Sequence, residues 1–141
     1  LQRDEAVVTL QMLANHTSGL PRLPANLFTR NTNPVDPYAH YGRPELMAYL
    51  KQAQLQTKPG TTYAYSNLGA GLLGVVLENR WQQTYANLLR ERITQPLKMD
   101  DTGIALSAEQ QTRFAQGYSP QAEPAQPWNL NVLVGAGGIR S

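Results

Sequence analysis

From Leu68 to Leu77 the chain reads Leu-Gly-Ala-Gly-Leu-Leu-Gly-Val-Val-Leu, with no charge until Glu78. Drawn as a helix from Asn67 to about Arg80, this stretch places apolar side chains on nearly every side. That is the pattern of a helix buried on more than one face. Other elements must wrap it, and 141 residues suffice for one domain with a core of its own. Gly69, Gly71 and Gly74 also match the dinucleotide spacing G-x-G-x-x-G. However, Thr61-Thr62-Tyr63-Ala64-Tyr65 is no buried aliphatic strand, and the region near Glu91 reads as helix rather than as a strand ending in an acid. The glycines are read instead as letting the helix backbone approach a neighbour.

The surrounding elements are short and mostly helical. Thr9 begins an amphipathic helix from Leu10 to about Asn15, with Leu10, Leu13 and Ala14 on one face, stopped by Gly19 and Pro21. Residues 20–43 form a long irregular stretch with prolines at 21, 24, 34 and 37. Its Phe28, Tyr38 and Tyr41 either line room for a ligand or pack on the domain. Pro44 suits the first turn of a helix reaching about Gln54, with Leu46, Met47 and Leu50 inward. Lys58-Pro59-Gly60 is a turn, after which Thr61–Tyr65 is extended. A helix runs from Thr84 to about Ile93 and ends at Pro96. Ser107 caps another, with Glu109 and Gln110 in its first turn. Gly117–Trp128 is turn-rich, with room for a small hairpin. The fold class is mainly α with long irregular loops.

Several function classes drop out. The net charge is +2 and the basic residues are scattered from Arg3 to Arg140, not gathered in the aromatic-interleaved stripe of a nucleic-acid binder. There is no cysteine, hence no disulfide or thiolate metal site. His16 and His40 are the only histidines, and neither has a second ligand at metal spacing. Neither metal nor cofactor is expected. His16 is read as finishing the first helix and bonding backbone, and Ser18 as a turn residue. Asn15-His16-Thr17 is formally a glycosylation sequon at a helix end. No apolar run approaches the ~18 residues of a membrane span, and Leu1-Gln2-Arg3-Asp4-Glu5 is not a signal peptide. Ile139-Arg140-Ser141 closes on a potential helix cap with no helix after it, so the chain reads as an excised piece.

Chemistry concentrates at Tyr65-Ser66-Asn67. In an extended lead into a helix, a spacing of two points Tyr65 and Asn67 the same way and turns Ser66 aside as a possible cap. A phenol titrates near ~10 in water and becomes a useful base only beside a cation. There it can relay a proton from a serine hydroxyl and pass it to a leaving amine. Asn67 both donates and accepts, which suits gripping a substrate amide. The plain alternative is that Tyr65 packs and Asn67 caps. No serine stands three residues before a lysine: at that spacing Lys51, Lys58 and Lys98 follow Ala48, Leu55 and Gln95.

Five stretches together resemble the serine β-lactamase-related family, which includes class C β-lactamases and type-C penicillin-binding proteins. Residues 9–21 are similar to its "LLxHTSGLP" segment and residues 58–74 to "PGxxFxYSNxGYxLLG". Residues 93–102 resemble "IxxPLGMxxT", residues 115–118 "AxGY" and residues 136–141 "AGGLxS". The departures are Lys98 at the usual Gly of "PLGM" and Trp81-Gln82-Gln83 at a common Thr-Gly turn. The resemblance implies the helical, substrate-binding subdomain of a β-lactamase/transpeptidase-like α/β + α fold. It implies a proton-transfer role for Tyr65 and an amide-gripping role for Asn67. The nucleophilic Ser-x-x-Lys and a Lys/His-Thr/Ser-Gly strand would lie on an α/β domain against which this one docks. The implied parent is a periplasmic serine hydrolase acting through an acyl-enzyme on peptidoglycan stem peptides or β-lactams, and Tyr-Ser-Asn leans toward its D-alanyl-D-alanine carboxypeptidase/endopeptidase members. By itself the chain would be inactive. The rival reading is a non-catalytic penicillin- or peptide-binding module of the same family.

Overall fold

The central apolar stretch is helix α3, Asn67–Trp81, and it forms the axis around which the domain is assembled. The computed structural model describes residues 1–28 and 32–141. Within α3 the residues Leu68, Gly69, Gly71, Gly74 and Val75 are buried, while Leu72, Leu73, Val76 and Leu77 are half-buried. The helix is therefore covered on several sides, as its composition requires. Gly71 marks the closest approach: a Cβ there would stand 2.6 Å from Leu133 Cδ2 and 3.0 Å from Leu133 Cα. Leu133 belongs to a 3₁₀ segment, Asn131–Ala136, which packs along α3 and was not expected from the sequence.

The remaining elements begin and end at recognisable caps. In α1, Leu10–Ala14, the Thr9 hydroxyl accepts the Met12 N–H. His16 then turns left-handed at φ 61° and stops the chain from continuing as helix. Only Leu13 of α1 is buried; Leu10 and Ala14, expected beside it, are exposed. Helix α2, Arg43–Gln52, holds Pro44 in its first turn, and the Glu45 carboxylate reaches back to accept the Gly42 N–H at 2.9 Å. Its inward residues are Leu46 and Tyr49, and Leu50 is half-buried. Met47 points to solvent, because the core-facing stripe follows the step from 46 to 49 and 50 rather than from 46 to 47.

The helix expected over residues 84–93 is α4, Tyr85–Leu89, followed by a π-helical turn, Arg90–Thr94. Pro96 has no N–H to continue an α ladder, and Gln95 bonds five residues back to the Arg90 carbonyl. Thr94 in this turn is buried, as are Leu88 and Leu89 of α4. Helix α5, Ala108–Arg113, starts at a reciprocal box in which Ser107 and Gln110 accept each other's N–H groups.

Two small antiparallel hairpins complete the described chain. β3, Gly117–Tyr118, pairs with β4, Pro124–Ala125, in the region expected to hold one. β1, Gln2–Arg3, pairs with β2, Ala6–Val7. Its turn is Asp4-Glu5, both at positive φ, a pair that carries little hairpin signal because neither is glycine or asparagine. The core gathers Leu13, Leu20, Leu27, Tyr41, Leu46, Leu68 and Leu133 among its buried members. Tyr41 is wholly enclosed, so it packs on the domain and lines no cleft. Its phenol donates to Asn26 Oδ1 at 2.8 Å, and burial pushes that phenol up to about 12. No helix among the described residues is long and apolar enough to cross a membrane.

Candidate active site

The N-terminus of α3 is a meeting point for segments distant in sequence. Ser66 precedes the helix in extended conformation, φ −136° and ψ 108°, and alternation along an extended chain sends its neighbours to the opposite side. Ser66 is fully buried, whereas Tyr65 is 48% exposed. Tyr65 and Asn67 line the same cavity, of 210 Å³. The spacing of two thus brings both expected site residues to one opening, with the intervening serine serving as cap.

Ser66 also fastens the site to the rest of the fold. Its hydroxyl accepts the Gly69 N–H at 2.8 Å and donates to the Pro21 carbonyl at 2.7 Å. Its backbone N–H donates to His16 Nδ1 at 3.2 Å, which leaves the proton of the neutral ring on Nε2. His16 does bond backbone, as expected, and its carbonyl accepts the Ala64 N–H at 2.8 Å. Its ring lies 4.6 Å from that of Tyr65, tilted by 43°. The segment 17–22 continues beside the chain, with the Gly19 carbonyl accepting from Gln56 and the Arg22 carbonyl from Leu68. Gly19 has φ 77°, and a Cβ on it would stand 2.3 Å from the Thr57 carbonyl oxygen. Only glycine satisfies both demands, which explains why the Thr-Ser-Gly turn is built as it is. Ser18 is buried, its hydroxyl accepting the Leu20 N–H at 3.3 Å, a turn residue as expected.

The cavity's other walls come from far along the chain. Tyr38 and Trp128 face each other with ring centroids 5.4 Å apart, and Leu130, Leu133 and Ala136 complete the lining. Two hydrogen bonds hold these segments together: Asn129 N–H to Asp36 Oδ1 at 3.0 Å, and Asn131 Nδ2 to the Ala39 carbonyl at 2.9 Å. Tyr38 therefore lines the opening as the sequence allowed; Phe28 is exposed and is not part of it. Trp128 and the half of the wall it brings had no local signal beyond a lone tryptophan in a polar, turn-rich stretch. Arg22 was missed as well: its guanidinium carbon lies 5.6 Å from the centre of the Tyr65 ring. Larger open clefts, of 480, 580, 620 and 770 Å³, contain neither Tyr65 nor Asn67.

Chemically, the arrangement offers an accessible phenol, a carboxamide and a guanidinium around a largely apolar cavity. Ser66 and Ser18 are both buried and hydrogen-bonded, so neither presents a nucleophile. Among the described residues no group of three or more His, Asp or Glu stands close enough to hold a metal ion.

Comparison with known proteins places this geometry in context. The family model described as Beta-lactamase matches residues 1–141. The chain is 37% identical over 138 residues to the D-alanyl-D-alanine-carboxypeptidase/endopeptidase AmpH of Escherichia coli K12, covering 95% of this chain and 33% of that protein. It is similar to the β-lactamase/D-alanine carboxypeptidase of Yersinia pestis solved with citrate, at 32% identity and TM-score 0.70, over 98% of this chain and 40% of that one. It is also similar to the β-lactamase/D-alanine carboxypeptidase of Pseudomonas syringae, at 26% identity and TM-score 0.73, over 94% of this chain and 34% of that one. The chain thus spans about a third of the length of the curated relatives it matches. These neighbours have the β-lactamase/transpeptidase-like fold, and the chain described here is mostly helical with few strands. With the family match running from the first residue to the last, the chain belongs to the Beta-lactamase family.

Proposed function

We propose that this chain is the helical, substrate-binding part of a serine hydrolase that works through an acyl-enzyme on peptidoglycan peptides or β-lactams. The observation that carries the reading is that Tyr65 and Asn67 share one cavity while Ser66 caps α3 beneath them. Tyr65 takes the proton from a serine hydroxyl as that oxygen attacks the scissile carbonyl, then returns it to the departing amine. Asn67 holds the donor's amide through its paired donor and acceptor. The serine and its lysine belong to an α/β domain on which this one docks, since no serine here stands three residues before a lysine. The chain alone therefore forms no acyl adduct. Family resemblance supports a periplasmic setting, where peptidoglycan is the substrate at hand, and Tyr-Ser-Asn favours D-alanyl-D-alanine peptides over β-lactams.

The test is Tyr65→Phe in the full enzyme. The half-exposed ring keeps its contact with His16, so the melting temperature should hold while acylation falls by about 10²–10⁴-fold. Turnover within about threefold of wild type would remove Tyr65 from the proton path.

A further inference from the structure

Arg22 has no acidic partner among the described residues. The ion pairs are Arg3–Asp4, Arg43–Glu78 and Arg113–Asp101, all away from the cavity. The guanidinium instead lies over the Tyr65 ring. Its backbone is fixed: the Arg22 carbonyl accepts the Leu68 N–H at 3.1 Å, and the Pro21 carbonyl before it accepts the Ser66 hydroxyl. An exposed, unpaired cation is therefore mounted on the frame that holds Tyr65 and Asn67.

The start of α3 adds to the positive potential there. In the first turn, Arg22 takes the N–H of Leu68, and Ser66 takes those of Gly69 and Ala70. Among the described residues the N–H of Asn67 is the one of these four left without an acceptor. It opens a helix of 15 residues, whose N-terminal end favours negative charge. The cavity walls are aromatic, aliphatic or amide, with no carboxylate among them.

We propose that Arg22 is a specificity-determining residue that receives a carboxylate on the acyl part of the donor, and this rests on the reading of Tyr65 and Asn67 above. Arg22 is tied at Leu68, next to the residue assigned to the donor's amide, so it serves the portion retained in the acyl-enzyme rather than the departing amine. A guanidinium donates two parallel hydrogen bonds to a carboxylate, a geometry an ammonium lacks. The substrate class is thus an acidic peptide donor.

The experiment measures kcat/KM in the full enzyme for two donors with the same leaving group. They differ only in an acyl-side carboxylate that is free in one and amidated in the other. Wild type should prefer the free carboxylate, and Arg22→Gln should reduce that preference by about 10- to 100-fold. Arg22→Lys, which keeps the charge without the planar fork, should retain part of it. An unchanged preference in Arg22→Gln, or no preference in wild type, overturns the proposal. Tyr65→Phe reports separately: it should slow both donors together. If it slows neither, the underlying site assignment fails, whatever Arg22 does.

Discussion

The Ser66 hydroxyl donates to the Pro21 carbonyl at 2.7 Å, across 45 positions of chain. One buried side chain thereby caps α3, anchors the segment that carries Arg22, and sets the outward direction of Tyr65 and Asn67 on either side of it. The candidate site and the helix cap are one structural unit, so damage to the cap is damage to the site.

Ser66→Ala should destabilise the domain by about 2–3 kcal/mol, combining a lost N-cap with a carbonyl left short of a donor. Urea unfolding measures it. A loss below about 0.5 kcal/mol would mean that water or a shifted backbone replaces both bonds.

Gly71→Ala separates packing from propensity. In an open helix alanine is favoured over glycine by about 1 kcal/mol, but here its Cβ would meet Leu133 at 2.6 Å. Overpacking of that kind costs about 1–3 kcal/mol, so the melting temperature should drop, and the cavity that Leu133 lines should change shape. A melting temperature at or above wild type contradicts the close approach of α3 and the 3₁₀ segment.

Lys98 and Gln82 occupy left-handed backbone at φ 55° and 53°, at the two places where the chain departs from the family's usual glycines. A left-handed L-residue costs about 1–2 kcal/mol, and glycine gives back about 0.4–1 kcal/mol through its freer unfolded chain. Each of Lys98→Gly and Gln82→Gly should therefore stabilise by about 0.5–1 kcal/mol. Thermal denaturation of the single variants and the double variant tests this, and a lower midpoint in either single variant counts against it.

Tyr41 gives a pH signature. Burial pushes its phenol up to about 12 from the ordinary 10, so the folded state holds a proton that the unfolded chain releases between those values. Stability is unaffected by this group below about pH 10 and falls as pH rises toward 12. Tyr41→Phe should flatten that alkaline slope, while losing about 1 kcal/mol at neutral pH with the bond to Asn26. Chemical denaturation at pH 7, 10 and 11.5 reads both effects; an equally steep alkaline loss in the variant would assign the slope to another group.

What could be read along the chain was local. The start and end of α3, the Thr9 and Ser107 caps, Pro44 in a first turn and the hairpin near residue 120 all depend on contacts a few positions apart. The orientation of Tyr65 and Asn67 follows from alternation alone. Legibility stopped where distant partners chose among locally equal options. Met47 and Tyr49 both fit an amphipathic pattern, and the core settled on Tyr49. Asp4-Glu5 carries weak turn chemistry, yet the hairpin closes there.

By itself, the sequence determined that α3 must be buried on several sides, that its glycines mark close approach, and that a Tyr-x-Asn pair stands at its head. These follow from hydrophobic burial, the absence of a Cβ and the period of an extended chain, none of which needs a distant partner. Only the tertiary structure decided that Tyr38 and Trp128 wall the cavity, that Tyr41 goes to the core, and that Arg22 lies over Tyr65. Tyr38 and Trp128 are ninety positions apart, and nothing in local backbone preference ranks one such pairing above another. It is the packing of the loops onto α3, fixed by bonds such as Asn129 to Asp36, that selects the pair.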